Sequence, residues 1–231
     1  MLFSYYDPTY ILVIIGIIIT LAASAKVKSA FARYSRVRAM SGMTGAEAAE
    51  RILHASGIYD VRIERVSGNM TDHYDPRTKV LRLSDTVYGQ NSLAAVGVAA
   101  HECGHAIQHD QGYAPLKLRS TLVPAANFGS MAAWPIIILG VVMGFSQTLI
   151  NVGIILFSLA VLFQLITLPV EFNASKRAIA RLGETGILYG DELRHSKKVL
   201  DAAALTYVAA AAASILQLLR LVILFGGRDR D

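Results

Sequence analysis

Long apolar runs, separated by shorter polar segments, dominate the pattern of this chain. Residues 8–25, which read PTYILVIIGIIITLAASA, carry no charged side chain, and neither do residues 121–170. A helix of about 20 apolar residues, rising about 1.5 Å per residue, crosses the hydrocarbon core of a bilayer. The first run therefore predicts one transmembrane helix. The second run is long enough for two spans and a short turn, so it predicts a transmembrane hairpin.

A further apolar run near the C-terminus gives a weaker signal. Residues 202–225 are rich in alanine and include Arg220, so this run either spans the bilayer or packs near the membrane surface. The pattern thus predicts a mostly α-helical integral membrane protein with three to four transmembrane helices. The expected segments are an N-terminal span (1–25), a first polar segment (26–120), the hairpin (121–170), a second polar segment (171–201) and a C-terminal apolar helix (202–231).

The first polar segment contains a stretch with the signature of short strands. Residues 61–84 place apolar and polar positions in alternation around turn residues, which predicts a small β-sheet. Asp72, His73 and Asp75 in this stretch are residue types that bind metals. However, Asp75 precedes a proline in a pattern typical of a type I turn, so turn chemistry is the preferred interpretation.

Charge indicates the orientation of these segments. The chain is 54% hydrophobic with a net charge of +5, and its basic residues cluster after residue 25 and on both sides of the hairpin. Basic flanks stay on the cytoplasmic side of a membrane, so both polar segments are expected there, with the N-terminus outside. Contact with anionic lipid headgroups explains the basic charge more simply than nucleic-acid binding. The single cysteine, Cys103, excludes an intrachain disulfide and fits a reducing compartment.

The stretch AAHECGHAIQH, residues 99–109, carries the candidate chemistry. On a helix, His101 and His105 lie on one face about one turn apart, so both imidazoles can bind one ion. Glu102 lies about 100° around the helix from His101, where its carboxylate can take a proton from a water that the ion activates. Zinc-dependent peptide hydrolysis uses this H-E-x-x-H spacing. The alternative is a core helix with incidental histidines, which would bury two imidazoles and a carboxylate at a cost.

A catalytic zinc usually has three protein ligands, so a third must come from another segment. His109 lies one turn further along the helix, too far for ligation without a break. Position 111 is Gln111, which excludes the metzincin pattern. After the hairpin, Glu171 is expected in a first helical turn, with Ser175 one turn further on to orient a ligand. Glu184 is the rival for the third ligand.

Four stretches of the chain resemble one known family. The sequence is similar to the YugP-like bacterial neutral zinc metallopeptidases, which are related to HtpX and the type 1 CAAX prenyl proteases. This resemblance implies that His101, His105 and Glu171 bind one Zn²⁺ per chain and that Glu102 is the general base. The wider superfamily carries an aspartate where this chain has Ser175. The stretches that carry the resemblance are DHYDPRTKVLRLSDTVY, VAAHECGHAIQ, LPVEFNASKRA and AAALTYVAAA.

The sequence therefore predicts a multi-pass zinc metalloendopeptidase of the gluzincin type in the bacterial cytoplasmic membrane. The first polar segment would carry the HExxH helix and the second the third ligand, both on the cytoplasmic side. Expected substrates are membrane or membrane-proximal proteins, docked along the strand Lys79–Ser84. Tyr207 and His195 are the candidates for stabilising the oxyanion, although a snorkelling aromatic and a surface histidine are the preferred interpretations of these two residues. A non-catalytic, metal-dependent membrane scaffold or partner protein is the alternative, and an oligomer or a regulatory membrane partner stays open.

Overall fold

The computed structural model describes residues 7–226 of the chain. Within this range the chain is mostly helical and contains one small sheet, which confirms the predicted fold class. The helices are α1 (Tyr10–Tyr34), α2 (Gly45–Ala55), α3 (Leu93–Asp110), α4 (Ala114–Val142), α5 (Gln147–Glu184) and α6 (Asp191–Phe225). The strands are β1 (Arg62–Val66), β2 (His73–Asp75) and β3 (Val80–Ser84).

Four helices, α1, α4, α5 and α6, are long and apolar enough to cross a membrane. The uncharged residues 121–170 lie in the helical hairpin formed by α4 and α5. The C-terminal run, which the sequence left open, belongs to a single helix of 35 residues with the length and composition of a span. By length and composition, the chain is therefore a multi-pass membrane protein.

The described residues divide into two compact units. The membrane unit comprises the described residues of Met1–Ala23, Leu118–Leu168 and Thr206–Asp231. The second unit, here called the HExxH unit, comprises Ser24–Lys117 and Pro169–Leu205. Each of the four long helices contributes residues to both units, so the chain passes from one unit to the other within helices.

Small residues allow close helix packing inside the membrane unit. A Cβ added at Gly129 of α4 would lie 2.6 Å from the carbonyl oxygen of Leu156 in α5. A Cβ at Gly16 of α1 would lie 3.3 Å from the Cβ of Ala213 in α6. Lipid tails are as apolar as leucine, so membrane helices associate through such close contacts instead of through hydrophobic burial.

Arg220, the charged residue in the apolar part of α6, is paired with a residue near the other end of the chain. Its guanidinium donates to Asp7 Oδ2 over 2.9 Å and to Thr9 Oγ1 over 3.2 Å. It also lies 4.3 Å from the centroid of the Tyr10 ring. Charged groups in membrane helices are tolerated when they are paired, so Arg220 is compatible with α6 as a span.

The HExxH unit contains the sheet, whose strand order is β1-β3-β2. β1 pairs with β3 in parallel, and β2 pairs with β3 antiparallel. The central strand alternates less than its sequence suggests, because four of its five side chains are buried. Helices α2 and α3 pack together with the buried side chains of β3, and this core fixes the position of α3.

The expectation that Lys79–Ser84 offers a docking edge for substrate is wrong. β1 and β2 occupy the two sides of β3. Beyond the end of β2, the Asp72 carboxylate accepts the backbone N–H of Ser84 over 2.7 Å and its hydroxyl over 2.9 Å. The alternating pattern correctly indicated a strand, but alternation does not report which strands lie beside it.

Candidate metal centre

Helix α3 carries the two predicted histidine ligands. Ser92 caps its N-terminus, since the Ser92 side chain accepts a hydrogen bond from the backbone N–H of Ala95 over 3.2 Å. The first two turns are apolar and buried, which anchors the helix in the core of the HExxH unit. The helix runs on to Asp110, so His101 and His105 project from the same face. Their ring centroids lie 4.8 Å apart with the rings nearly perpendicular.

Helix α5 carries the predicted third ligand. Glu171 Oε2 lies 3.3 Å from His101 Nε2 and 3.6 Å from His105 Nε2. The expectation that Glu171 sits in a first helical turn is wrong, because α5 begins at Gln147 and continues through Pro169. The helix dipole at an N-terminus therefore does not act on this carboxylate. The two imidazoles beside it are the groups that favour its charged form.

These three groups fit a zinc ion. One nitrogen from each histidine and one oxygen from Glu171 all lie within 4.8 Å of one another. Ligand atoms about 2.1 Å from a tetrahedral zinc are about 3.4 Å apart, close to the two distances from Glu171 Oε2. Two imidazoles and one carboxylate are also the donor set of a known class of catalytic zinc site. The arrangement can therefore hold one Zn²⁺ with a position left for water or substrate.

Gly104 lets α5 approach α3 closely enough to bring Glu171 to the histidines. A Cβ at this position would lie 2.4 Å from the carbonyl oxygen of Ala174 and 3.1 Å from its Cα. Real Cβ atoms do not approach backbone atoms this closely, so a larger residue at position 104 would force the helices apart. The sequence suggested that this glycine permits a close backbone approach, and the structure identifies α5 as the partner.

Each histidine has its second ring nitrogen engaged by a neutral side chain. His101 Nδ1 lies 3.1 Å from the Ser175 hydroxyl, the residue predicted to orient a ligand. His105 Nδ1 lies 3.1 Å from Gln108 Oε1. Because both Nδ1 atoms are occupied, the Nε2 atoms face the Glu171 carboxylate and are the nitrogens available to an ion.

Glu102, the predicted base, lies on α3 next to His101 and is only 7% exposed. Its charge contributes to the protonation of His105. Burial by itself would lower the pKa of His105, but the hydrogen bond that Glu171 accepts from it and the charge of Glu102 raise that pKa above its ordinary value. The two carboxylates near His105 therefore favour positive charge at this position, which a bound metal ion would supply.

Cys103 and Glu184, two other residues that could ligate a metal, have ordinary structural contacts. Cys103 is fully buried, its thiol donates to the carbonyl oxygen of Ala49 over 3.5 Å, and burial raises the pKa of the thiol. The Glu184 side chain is 59% exposed and pairs with Arg181 over 2.8 Å. The close group around the histidines contains Glu171 and not Glu184.

Asp72 and Asp75 of the TDHYD stretch make hydrogen bonds to nearby residues, in agreement with turn chemistry instead of a metal site. Asp75 accepts hydrogen bonds from the backbone of Arg77 and the hydroxyl of Thr78, and Asp72 binds Ser84. His73 Nδ1 lies 2.8 Å from the carbonyl oxygen of Thr71. These contacts shape the turns on the two sides of β2.

His109 and the two oxyanion candidates have different surroundings. His109 Nδ1 lies 2.9 Å from the hydroxyl of Tyr74 on β2. His195 stacks on the ring of Tyr34, with centroids 5.0 Å apart. Tyr207 belongs to the membrane unit. A role for His195 or Tyr207 at the oxyanion stays a prediction.

Sequence reasoning missed Gln108. The signal that could have found it is a polar side chain three positions after His105 on the same helix. On a helix, side chains three residues apart are neighbours, so the spacing allows Gln108 to contact the Nδ1 atom of His105.

Comparison with known proteins adds two findings. The model of a family described as "Putative neutral zinc metallopeptidase" matches residues 9–226. A protein of Bacillus subtilis (strain 168) named "Putative membrane protease YugP" is 53% identical over 210 residues, which cover 90% of this chain and 93% of that protein. No solved structure matches the chain.

Proposed function

Because the chain belongs to the neutral zinc metallopeptidase family whose model it matches, we propose that it is a membrane-embedded zinc endopeptidase. It binds one Zn²⁺ through His101, His105 and Glu171. The observation that carries this proposal is the approach of one ligand atom from each residue to within 4.8 Å of the other two. The four apolar helices and the name of the Bacillus relative support a membrane protease.

The residues around the proposed site have different roles in peptide hydrolysis. Zn²⁺, when bound, supplies Lewis acidity that lowers the pKa of a water and polarises the carbonyl of the scissile peptide. Glu102 is the general base: its carboxylate accepts the proton from the attacking water as oxygen adds to the carbonyl carbon. Glu102 then returns that proton to the departing amine nitrogen as the C–N bond breaks. Ser175 and Gln108 hold the two imidazoles in place throughout.

The ligand set favours catalysis over a purely structural metal. Structural zinc sites are usually closed by four protein ligands, whereas catalytic sites have three and leave one position open. The site here offers three groups, with a buried carboxylate at Glu102 on the next residue of the helix. A non-catalytic scaffold would have no use for a base at that position.

Substrates are proteins in or next to the membrane, cleaved on the cytoplasmic side of the bacterial cytoplasmic membrane. The basic residues after α1 and on both sides of the uncharged run support this orientation, because basic flanks remain cytoplasmic. The HExxH unit includes the ligand residues and these basic residues with the exception of Arg119.

The test compares three variants of the full chain purified in detergent. Glu102→Gln is expected to retain zinc and lose activity by about 10²–10⁴-fold, because a general base contributes that much. Glu171→Ala is expected to lose both zinc and activity, because it removes a ligand. Glu184→Gln, a change at an exposed glutamate on the same helix, is the control and should alter neither.

Metal content by elemental analysis and cleavage of casein or a membrane protein are the two measurements. Zinc-loaded Glu102→Gln protein with full activity would exclude Glu102 as the base. Zinc binding without any cleavage by the wild type would favour the scaffold alternative. Zinc loss in Glu184→Gln but not in Glu171→Ala would reassign the third ligand.

A further inference from the structure

Gln108 lies at the centre of a hydrogen-bond network between α3 and α5. The residue is fully buried within the HExxH unit. Its Oε1 lies 3.1 Å from His105 Nδ1. Its Nε2 donates to the carbonyl oxygen of Val170 over 2.8 Å and to Asn173 Oδ1 over 3.0 Å. Every polar atom of this buried amide thus has a partner, as buried polar groups require.

The contact with Val170 fixes which way the amide of Gln108 faces. A backbone carbonyl oxygen can only accept a hydrogen bond, so the atom that faces Val170 must be the NH₂ group. The carbonyl oxygen of the amide therefore faces His105. Since that oxygen can only accept, His105 must carry its proton on Nδ1. This is the tautomer in which Nε2, 3.6 Å from Glu171 Oε2, is the nitrogen that a metal ion can bind.

The same amide group holds α5 on both sides of Glu171. Val170 precedes the ligand by one residue, and Asn173 follows it by two. Asn173 Oδ1 also accepts a hydrogen bond from Arg177 Nε over 2.7 Å, which fixes the orientation of the asparagine. Gln108 therefore hydrogen-bonds the proposed ligand His105 directly, and it also hydrogen-bonds the backbone of Val170, next to the proposed ligand Glu171.

We propose that Gln108 is a positioning residue that joins the two halves of the metal site. It sets the tautomer of His105 on α3 and fixes the turn of α5 that presents Glu171. This inference rests on the proposed zinc site. It goes beyond the ligand set, because it assigns the geometry of ligands from two helices to one buried amide.

Gln111 provides a matched control for this role. It lies at the C-terminal end of α3 and accepts a hydrogen bond from Arg177 Nη1, so it also links α3 to α5. However, its hydrogen bonds within residues 7–226 do not contact His101, His105 or Glu171, and it is linked to Gln108 only through Arg177 and Asn173. If Gln108 acted only through packing of the two helices, loss of Gln111 would have a similar effect.

The experiment measures metal binding by Gln108→Met and Gln111→Met in the full chain, purified in detergent. Methionine keeps the length of the side chain and removes its hydrogen bonds. Zn²⁺ affinity is obtained by competition with a chelator, and ligand geometry from the absorption spectrum of the Co²⁺-substituted protein. Gln108→Met should weaken Zn²⁺ binding by about 10–100-fold, as expected when a ligand loses its orienting partner, and shift the Co²⁺ spectrum. Gln111→Met should change neither.

A second variant covers the case in which Gln108→Met does not fold. Gln108→Glu preserves the shape and the acceptor toward His105, but it places an oxygen against the Val170 carbonyl. Burial favours the neutral carboxyl, whose O–H can donate to the Val170 carbonyl, so the variant should fold. It loses the second donor, to Asn173, and should shift the Co²⁺ spectrum.

Unchanged affinity and spectrum in a folded Gln108 variant would overturn the proposal, as would equal losses in Gln111→Met. These readouts separate this inference from the proposed function. A wild-type protein that binds no zinc contradicts the proposed site itself. A wild type that binds zinc and cleaves protein, with Gln108 variants that bind equally well, contradicts only the role of Gln108.

Discussion

At the scale of single residues, His101 has a different kind of partner from His105. The Ser175 hydroxyl beside His101 Nδ1 can donate or accept a hydrogen bond, and it carries no charge. A carboxylate at that position would accept a hydrogen bond from Nδ1 and make the imidazole a stronger ligand. Ser175→Asp is therefore expected to tighten Zn²⁺ binding, and Ser175→Ala to weaken it by about 10-fold or more.

Chelator competition with both Ser175 variants checks this prediction. Equal Zn²⁺ affinity in wild type, Ser175→Ala and Ser175→Asp would show that Ser175 does not act on the metal through His101. The unfolding temperature of each metal-free variant serves as the control for folding.

Gly104 leads to a second prediction at this scale. Gly104→Ala places a Cβ 2.4 Å from the Ala174 carbonyl oxygen, so α5 must move away from α3 and carry Glu171 with it. Zn²⁺ affinity should fall, and the stability of the fold should drop by about 1–3 kcal/mol, which is typical of overpacking.

Gly183→Ala is the matched control, since it lies on α5 and its Cβ would meet only Leu193 at an ordinary 3.4 Å. Both variants are compared by Zn²⁺ affinity and thermal unfolding. A Gly104→Ala protein that binds Zn²⁺ like the Gly183→Ala protein would mean that the close approach does not set the position of Glu171.

The sequence predicted the residues of the candidate site better than the contacts that hold them. Helical spacing alone brings His101 and His105 together. In contrast, Glu171 required a family resemblance, because nothing in one sequence states which residue of α5 faces α3. The contacts of Gln108 with α5 were missed for the same reason: its partners Val170 and Asn173 belong to a helix far along the chain.

At the scale of elements, the position of β3 in the middle of the sheet changes what a proline there would do. Arg82→Pro removes a backbone donor from a strand paired on both sides, instead of from an open edge. We expect the HExxH unit to lose stability and Zn²⁺ binding together, and not a selective rise in KM.

Arg82→Thr is the control, because it removes the ion pairs with Glu64 and Asp75 and keeps the backbone N–H. Thermal unfolding and Zn²⁺ content of the two variants give the comparison. Normal unfolding and zinc content in Arg82→Pro, combined with a raised KM, would restore β3 as a docking strand.

The helices and strands themselves were easier to predict than which of them lie side by side. Apolar runs revealed the helices with the composition of spans, because a bilayer demands about 20 apolar residues in sequence. α6 was the exception, since Arg220 interrupts the pattern and its partner Asp7 lies at the opposite end of the chain. Sheet order depends on long-range pairing, which the alternation of one strand does not contain.

At the scale of the whole molecule, the proposed orientation leads to a prediction for the intact cell. Cys103 is fully buried, so a thiol reagent will report mainly on introduced cysteines. Met143, in the turn between α4 and α5, is 63% exposed, and Tyr59, in the HExxH unit, is 74% exposed. A membrane-impermeant maleimide should label Met143→Cys in intact cells, and Tyr59→Cys only after the cells are permeabilised.

Wild-type protein is the control for labelling of Cys103. The opposite pattern, with Tyr59→Cys labelled in intact cells and Met143→Cys protected, would place the candidate site on the outer side. It would also contradict the orientation inferred from the basic flanks.

The origin of the proposed metal ligands in two helices has a consequence for the lifetime of the protein. An ion held by α3 and α5 together acts as a reversible cross-link between distant parts of the chain, available only when both are folded. At a free concentration of 100 times its Kd, such an ion adds about 2.7 kcal/mol to the free energy of unfolding. Chelation should therefore lower the unfolding temperature of wild type but not of Glu171→Ala. A cell short of zinc would then lose this protein to quality-control proteolysis, so zinc supply would control its abundance as well as its turnover rate.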